Sequence, residues 1–371
     1  MTVEPLSSDT AAEWDAAVEQ FPEAWLYHTT PWVGIESASA KSQAFLVRLD
    51  GRVVALCPMY LERWRLAKVL PVTVLHSGRA RGGPALAPHL SPRERRSAYA
   101  AVFGELDRVA GRQGVDRLYL RLPTLAPAFL PPDRPASNPL AVVRPLAPIR
   151  YGGDWERGEL VTKIADLSVG VDALFAGLDH NCRKAIRKSH SSGLEIVEAD
   201  CIDLVRVYHD IHLQSFAHSG AVPASLADLE RMWRALHPAG RLGLFLGRLD
   251  GHFVAGLLAL RFKTAATYWG GSSLVSARHA RPNNALMWHA MQWASRHGCR
   301  WFELGPTFPT LAPGSKAGRI GRFKDQFGGT LYAAFEGVHD PRPLKMAIFD
   351  LVDGAARAWI GRRERATGDD E

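Results

Sequence analysis

The sequence predicts an α/β protein built from two copies of one module. Three observations carry this reading. First, residues 45–55 read FLVRLDGRVVA and residues 245–255 read FLGRLDGHFVA, agreeing at eight of eleven positions. Each segment reads as strand, Asp-Gly turn, strand, because Asp and Gly tolerate the positive φ that a two-residue hairpin demands. Second, the order of elements after the hairpin repeats: further strand, helix, glycine, strand. Third, 371 residues with 47% apolar and 22% charged side chains make an ordinary globular composition. That excludes a disordered, collagen-like or coiled-coil chain, and at ~100–200 residues per domain it implies two cores.

The elements follow in order. Pro92 to Gln113 reads as a helix with Ala98, Val102, Leu106 and Val109 on one face, stopped by Gly114 and followed by the strand RLYL. Pro123, Pro127, Pro131, Pro132, Pro135, Pro139, Pro145 and Pro148 make residues 122–150 a linker, since this density excludes regular helix or central strand. The N-terminal module with its linker is thus expected over 1–150 and the C-terminal module over 151–340. The latter opens near Leu160 with VTKIADLS as a strand, then a helix from Val171 to its stop at Gly193, then the strand LEIVEA. Pro282 onward reads as a helix with Leu286, Ala290 and Trp293 on one face, Gly298 as its cap, and RWFEL as the next strand. Over 341–371, Leu344, Ile348, Leu351, Ala355 and Trp359 keep helical spacing. This stripe reads as a helix docked on the protein body. The alternative is a helix on a membrane surface, to which Arg362, Arg363 and Arg365 would contribute.

Composition narrows the partners. The net charge of +7 favours anionic ligands, but neither half is basic enough for a dedicated nucleic-acid domain. No apolar run approaches the ~18 residues of a membrane span. Residues 1–40 lack Lys and Arg and carry Glu4, Asp9, Glu13, Asp15 and Glu19, so no signal peptide is expected and the protein is read as cytoplasmic. Cys57, Cys182, Cys201 and Cys299 form no CxxC and are expected to be reduced and mostly buried. His209 and His212 have no companion ligands in sequence, so no metal site is expected.

Four segments are able to carry chemistry. In DHNCRKAIRKSHSSG, Arg183 and Arg187, like Lys184 and Lys188, stand four apart on one helix. They make either a solvated face or contacts to phosphates. In GRIGRFKDQFGG, RFKDQF read as a strand puts Phe323, Asp325 and Phe327 on one face and Arg322, Lys324 and Gln326 on the other. Lys324 on a rigid element beside aromatics suits stabilisation of developing negative charge; the plain alternative is an edge strand with gatekeeper charges. In TYWGGSS (267–273) the glycines allow close approach of a ligand or mark a bulge. Glu303, in the apolar strand WFELG, is either paired structurally or a base with a raised pKa.

Taken together, NCRKAIRKSHSSGLEIVEA, FLGRLDGHFVAGLLAL, TYWGGSS, NNALMWHAMQWASRHGCRWFELG and GRFKDQFGG, with SGRARGGPAL in the first half, resemble the FemAB-like branch of the GNAT acyltransferase superfamily. The resemblance spans roughly residues 25–340. It implies two tandem GNAT-like modules, each a mixed, mostly antiparallel sheet flanked by helices. It also implies transfer of an acyl or aminoacyl group to an amine or hydroxyl, in envelope or natural-product pathways, with no permanent cofactor. The co-substrate is then aminoacyl-tRNA or acyl-CoA, with tRNA slightly favoured as partner and a small molecule, peptide or glycan as acceptor. A non-catalytic descendant is the third reading.

The resemblance also assigns residues. Lys324 would stand for the lysine that stabilises charge at the attacked ester, and Phe323 and Phe327 would wall the channel. Arg183, Lys184 and Arg187 would form the basic helix. Acyl-CoA members carry a glycine loop whose amides hold pyrophosphate. Here SARHARPNNAL has no glycine, so Arg278 and Arg281, with Arg322, become the phosphate-binding candidates. Peptidoglycan-type members carry a Thr and an Arg after the second-module helix, whereas QSFAHSGAVPAS offers Ser215 and no Arg. The mechanism implied is direct transfer in a ternary complex. Tyr268 would protonate the leaving group, Glu303, His218, water or the donor would act as base, and Phe216 and Trp269 would line the pocket.

Overall fold

Both Asp-Gly hairpins form in the computed structural model, which describes residues 1–66, 70–78, 81–142, 146–147, 149, 161–217, 222–307 and 316–353. The turns at Asp50–Gly51 and Asp250–Gly251 have φ of 49°/79° and 50°/80°, the mirror-image turn that matches strand twist. The chain divides into two units, residues 1–158 with 334–371, and residues 159–333.

The first unit opens with β1 (Thr2–Pro5), α1 (Ala11–Gln20), α2 (Thr30–Glu36) and β2 (Lys41–Ser42). The hairpin strands are β3 (Phe45–Leu49) and β4 (Arg52–Cys57), followed by β5 (Tyr60–Leu66), β6 (Leu70–His76) and β7 (Ala85–Leu86). Then come α3 (Pro92–Gln113) and β8 (Arg117–Arg121). Ser91 and Glu94 close a capping box at the start of α3, and Gly114 at φ 64° ends it. Ala98, Val102, Leu106 and Val109 are buried as the spacing predicts. The proline-rich stretch is not a bare linker. Leu122, Leu125, Ala126, Phe129, Leu130 and Leu140 are buried, because prolines that forbid helix do not forbid packing.

The second unit holds β9 (Val161–Asp166), α4 (Val171–Gly177), α5 (His180–Ser191), β10 (Glu195–Glu198), α6 (Asp203–Phe216) and α7 (Leu226–Leu236). The sequence predicts one helix over 171–192; the chain makes two, since Asp179 caps a new start by accepting from the Asn181 amide. The hairpin is β11 (Leu242–Leu249) and β12 (His252–Phe262), then β13 (Ala265–Ser273), α8 (Pro282–Arg296) and β14 (Trp301–Thr307). α9 (Lys316–Asp325) and β15 (Thr330–Ala333) close the unit. The strands order as β10-β11-β12-β13-β14-β9-β15, with β13 and β14 parallel and the other neighbours antiparallel. Leu286, Met287, Ala290, Met291 and Trp293 of α8 pack on Ala255, Leu257, Ala259, Phe302 and Leu304.

The repeat extends beyond the hairpins. Each first strand shifts register at the same point, Val47/Arg48 and Gly247/Arg248. Each arginine then pairs with a glutamate on the preceding edge strand, Arg48 with Glu4 at 3.0 Å and Arg248 with Glu195 at 2.6 Å. The long strand β12 corresponds to β4 and β5 together. Pro58 interrupts that line in the first unit, since it has no amide for a sheet ladder. Among the described residues the first unit accordingly has two sheets, β1-β3-β4-β7 and β16-β8-β6-β5-β2, where β16 is Glu336–His339. β16 pairs with β8, so this segment completes the first unit rather than closing the second as the sequence boundaries predict.

Residues 343–353 are helical (α10). Its predicted docking stripe is on the wrong side: Met346 is buried with Val72 and Val74, while Leu344, Ile348 and Leu351 are exposed. Polar pairs decide the orientation. Asp116, almost fully buried, accepts from Lys345 at 2.7 Å, Arg342 at 3.3 Å and the Thr73 amide at 2.8 Å. Arg117 bridges Asp340 and Asp350, each at 2.7 Å. Ala355, Trp359, Arg362, Arg363 and Arg365 lie outside the described residues. Among the described residues no helix is long and apolar enough to cross a membrane. The four cysteines are free, and burial pushes the Cys182 and Cys299 thiols up to about 11; Cys201 is exposed.

Burial raises the Asp116 pKa, but the hydrogen bonds from Lys345 and the Thr73 amide, with the Lys345 and Arg342 charges, outweigh it and hold the carboxyl below the ordinary aspartate value. The folded-state value is depressed, so this clamp contributes fully above the unfolded value of ~4 and is lost as pH falls through the lower folded value. Asp116→Asn is expected to cost about 1–3 kcal/mol at pH 7 and much less at pH 2, read by urea unfolding at both. An equal cost at the two pH values would contradict the clamp.

Candidate active site

The parallel pair β13 and β14 stays together only from Ala265–Thr267 against Trp301–Glu303. At the end of this contact Glu303 is buried and accepts hydrogen bonds from Thr162 Oγ1 of β9 at 2.5 Å and Thr267 Oγ1 of β13 at 3.0 Å. It fastens three adjacent strands. This geometry favours the structural alternative for Glu303, which does not line the cavity described next.

Past Glu303 both strands break their ladders. On β14 the register against β9 skips Leu304, and Gly305 takes φ 89°. On β13 the register against β12 skips Trp269, so Tyr268 pairs with Ala259 and Gly270 with Leu258. An extra residue reverses the alternation, and Tyr268 and Gly271 come to share one face with Leu257. A Cβ on Gly271 would stand 3.1 Å from Tyr268 Oη, so a larger residue would have to push the ring aside. The TYWGGSS segment is thus a bulge that also aims an aromatic.

The fork opens into a cavity of about 550 Å³ lined by Tyr268, Gly271, Gly256, Leu257, Phe216, Ser215, Leu286, Met287, Phe323 and Lys324, with Arg278, Asn283, Arg319 and Ile320. Lys324 is 5% exposed, and its Nζ donates to the Pro306 carbonyl at 2.6 Å. The Cβ that Gly305 lacks would be 3.1 Å from Lys324 Nζ and 3.9 Å from the Tyr268 carbonyl. The ammonium therefore sits between the two diverging strands. Burial pushes the Tyr268 phenol up to about 12, leaving it a protonated donor at neutral pH.

Lys324 is delivered by a helix, not by the strand that alternation predicts. Ile320, Phe323 and Phe327 keep helical spacing, and Phe323 and Phe327 meet edge to face at 5.3 Å. Gly328 and Gly329, at φ 74° and 87°, end the turn. Lys163 and Asp325 pair at 2.5 Å and tie this end of α9 to β9.

The other predicted residues separate. Tyr268, Phe216, Phe323, Lys324 and Arg278 line the cavity; Phe327 is in the core beneath it. Trp269, the bulged residue, is part-exposed and outside it. Arg183 donates to the Ala176 and Leu178 carbonyls at the end of α4, and Arg187 lies over the Phe175 ring at 5.5 Å. Lys184 and Arg322 are exposed, and neither they nor Arg281 line the cavity. His218 lies outside the described residues. Asn283 and Arg319 line it without having been assigned a role, and so does Ser215, which the sequence offered only in place of the Thr of peptidoglycan-type members. Beside the cavity strand, His212 accepts the Ala224 amide at Nε2 (3.0 Å), which leaves Nδ1 to donate to Ser272 Oγ (2.9 Å). Among the described residues no three His, Cys, Asp or Glu are placed to hold a metal.

The approach to α8 engages several of its backbone amides internally. Residues Val275–Ala280 form a 3₁₀ helix, and Arg281 caps α8 at φ 53° ahead of Pro282. The Ala277, Arg281 and Asn284 amides donate to the Leu274, Arg278 and Arg281 carbonyls. These amides are spent within the turn, and proline offers none. In the first unit the equivalent fork is sewn shut. The Ser77 amide donates to Tyr119, Ser77 Oγ accepts the Arg121 amide at 2.8 Å, and the Gly83 amide donates to the Arg121 carbonyl.

Glu303→Gln is expected to cost about 1–2 kcal/mol of stability, because an amide replaces an acceptor-only group between two hydroxyls. The pH dependence of any transfer activity should keep its shape. Loss of a pH limb with unchanged stability would make Glu303 a base instead.

Residues 178–315 match the family model of the acetyltransferase (GNAT) domain. No curated protein matches the sequence. Among solved structures, FemX is similar at TM-score 0.74 and 15% identity, over 94% of this chain and 100% of that one. A tandem GNAT protein from the clavulanic acid biosynthesis pathway, without AcCoA, is similar at TM-score 0.57 and 13% identity, over 91% and 98%. The C-terminal domain of an Agrobacterium fabrum protein described as a lysylphosphatidylglycerol synthetase is similar at 0.56 and 13%, over 93% and 96%. Residues 178–315 thus carry an acetyltransferase (GNAT) domain, within a fold that is similar over more than 90% of the chain to FemX and to the tandem GNAT protein.

Proposed function

We propose that the second unit moves an aminoacyl group from aminoacyl-tRNA to an amine or hydroxyl by direct transfer in a ternary complex. The observation that carries this is the buried Lys324 ammonium between β13 and β14, with the Tyr268 phenol on the same cavity wall. The acceptor attacks the ester carbonyl, its new bond to carbon forms, and the ester C–O bond breaks. Lys324 meets the developing oxyanion in a site of low dielectric, where such a donor is worth ~2.7–4 kcal/mol. Tyr268 supplies a proton to the leaving hydroxyl, and the acceptor's proton leaves to solvent. The donor is a co-substrate that departs each cycle.

The spent amides before α8 favour tRNA over CoA as donor, since a CoA pyrophosphate is ordinarily held by free amides at a helix start. Arg278 and Arg319 on the cavity wall provide side-chain charge for phosphate instead. The relative described as a lysylphosphatidylglycerol synthetase agrees with an aminoacyl group. A second reading, acyl-CoA as donor, draws on the match to the acetyltransferase domain and on the relative solved without AcCoA.

Lys324→Met is expected to lower turnover on the order of 100-fold or more with thermal stability kept within a few degrees. The assay follows labelled aminoacyl loss from bulk charged tRNA with a panel of amine acceptors, with and without ribonuclease. Full activity in the variant would remove Lys324 from the mechanism. Ribonuclease-resistant transfer from acetyl-CoA would replace tRNA by CoA.

A further inference from the structure

Behind the cavity wall, on α6, the His212 side chain is buried, and the residue is 8% exposed. Its Nε2 accepts the Ala224 amide at 3.0 Å, so its Nδ1 carries the proton and donates to Ser272 Oγ at 2.9 Å. Ser272 directly follows Gly271, the β13 glycine that lines the cavity beside Tyr268. The Tyr208 phenol, one turn earlier on α6, also hydrogen-bonds Ser272. The Tyr208 ring lies so close to Gly256 of β12 that a Cβ there would stand 2.5 Å away, and Gly256 lines the cavity too. One turn after His212, Phe216 meets the imidazole at 4.3 Å and lines the cavity itself. The ring thus joins three pieces of wall, from β12, β13 and α6, without lining the cavity.

We propose that His212 is a positioning residue for the transfer reaction, holding the bulged end of β13 in its working geometry only as the neutral Nδ1–H tautomer. The inference rests on transfer in the second-unit cavity. Its physical basis is the number of acceptors. An imidazolium has two donors and no acceptor, so protonation at Nε2 sets one N–H against the Ala224 amide. The ring must then move, and the Ser272 hydroxyl with it, while Ser272 shares its strand with Gly271 and Tyr268. A misplacement of ~1 Å in a reacting site can cost ~100-fold in rate. Burial, with the His209 charge on the same helix, holds the His212 pKa below the ordinary histidine value. The other titratable groups around it are the Tyr208 phenol and, beyond it on β13, the Tyr268 phenol; burial keeps both protonated at neutral pH. α7 turns its Glu230 to Arg206 and Arg234 instead. The working form is therefore the one present at pH 7, and it is lost below the ordinary histidine value of ~6.5.

The test measures kcat and KM against pH for the whole protein, with charged tRNA and acetyl-CoA each offered as donor to the amine panel. His212→Leu should lower kcat on the order of 10-fold at neutral pH, with KM for the donor nearly unchanged. His212→Gln offers an acceptor and a donor at the ring's spacing without titrating, and should restore most of that turnover. The ratio of wild-type to His212→Gln kcat cancels the ionisation of the substrates. It is expected to be constant above pH ~6.5 and to fall on the order of 10-fold by pH ~5. A ratio that stays flat, or full turnover by a folded His212→Leu, would overturn the proposal. Transfer from acetyl-CoA alone would instead reject the tRNA reading, and the same variants would decide the role of His212 on that activity. One further readout needs no donor. The Gly271 amide resonance should titrate with the His212 ring in the wild type and stay flat in His212→Gln; a Gly271 resonance indifferent to the ring would also overturn the proposal.

Discussion

A buried carboxylate held by two threonines decides where the sheet of the second unit opens. Glu303 lies at the last paired position of β13 and β14 and accepts from Thr267 on one side and Thr162 on the other. Up to that point three strands run as a regular ladder. Past it, one extra residue on each of β13 and β14 removes the ladder, and the strands part. Everything chemical in the unit follows from that opening. Tyr268 and Gly271 share a face because of the bulge, and Lys324 Nζ occupies a gap that Gly305, without a side chain, leaves open.

The first unit is the natural contrast. It has the same hairpin, the same register shift, the same glycine-capped helix and the same parallel pair. Its β6 and β8 nevertheless remain joined past the last paired residues, through Ser77 and Gly83. A Cβ on Gly83 would meet the Arg121 carbonyl at 2.6 Å, which measures how closely the chain is drawn in. One supersecondary plan thus yields a closed sheet edge in one unit and an accessible cleft in the other.

Much of this plan was legible in the sequence. The hairpins were set by Asp-Gly, and the caps by Gly114 and Gly298, because each depends on residues within a few positions. The site was legible in part. Lys324, Tyr268, Phe216, Phe323 and Arg278 do converge, while Arg183 and Arg187 are engaged by α4 and Phe175. The strand reading of RFKDQF failed because alternation over six residues fits a helix about as well, and glycines on both sides masked the longer period. The reading of the last helix failed because apolar spacing finds a stripe but not which side faces the core. Ion pairs to Asp116 and Arg117, distant in sequence, made that choice. The two bulges left no local signal beyond their glycines.

The central claim is that transfer takes place in the fork of the second unit. Hydrogen exchange by mass spectrometry, with and without bulk aminoacylated tRNA, tests it most directly. Slowed exchange is predicted in residues 268–273, 304–307 and 316–327, with residues 74–78 and 117–122 of the first unit unchanged. Slowing confined to the first unit, with the fork exchanging as before, would contradict it.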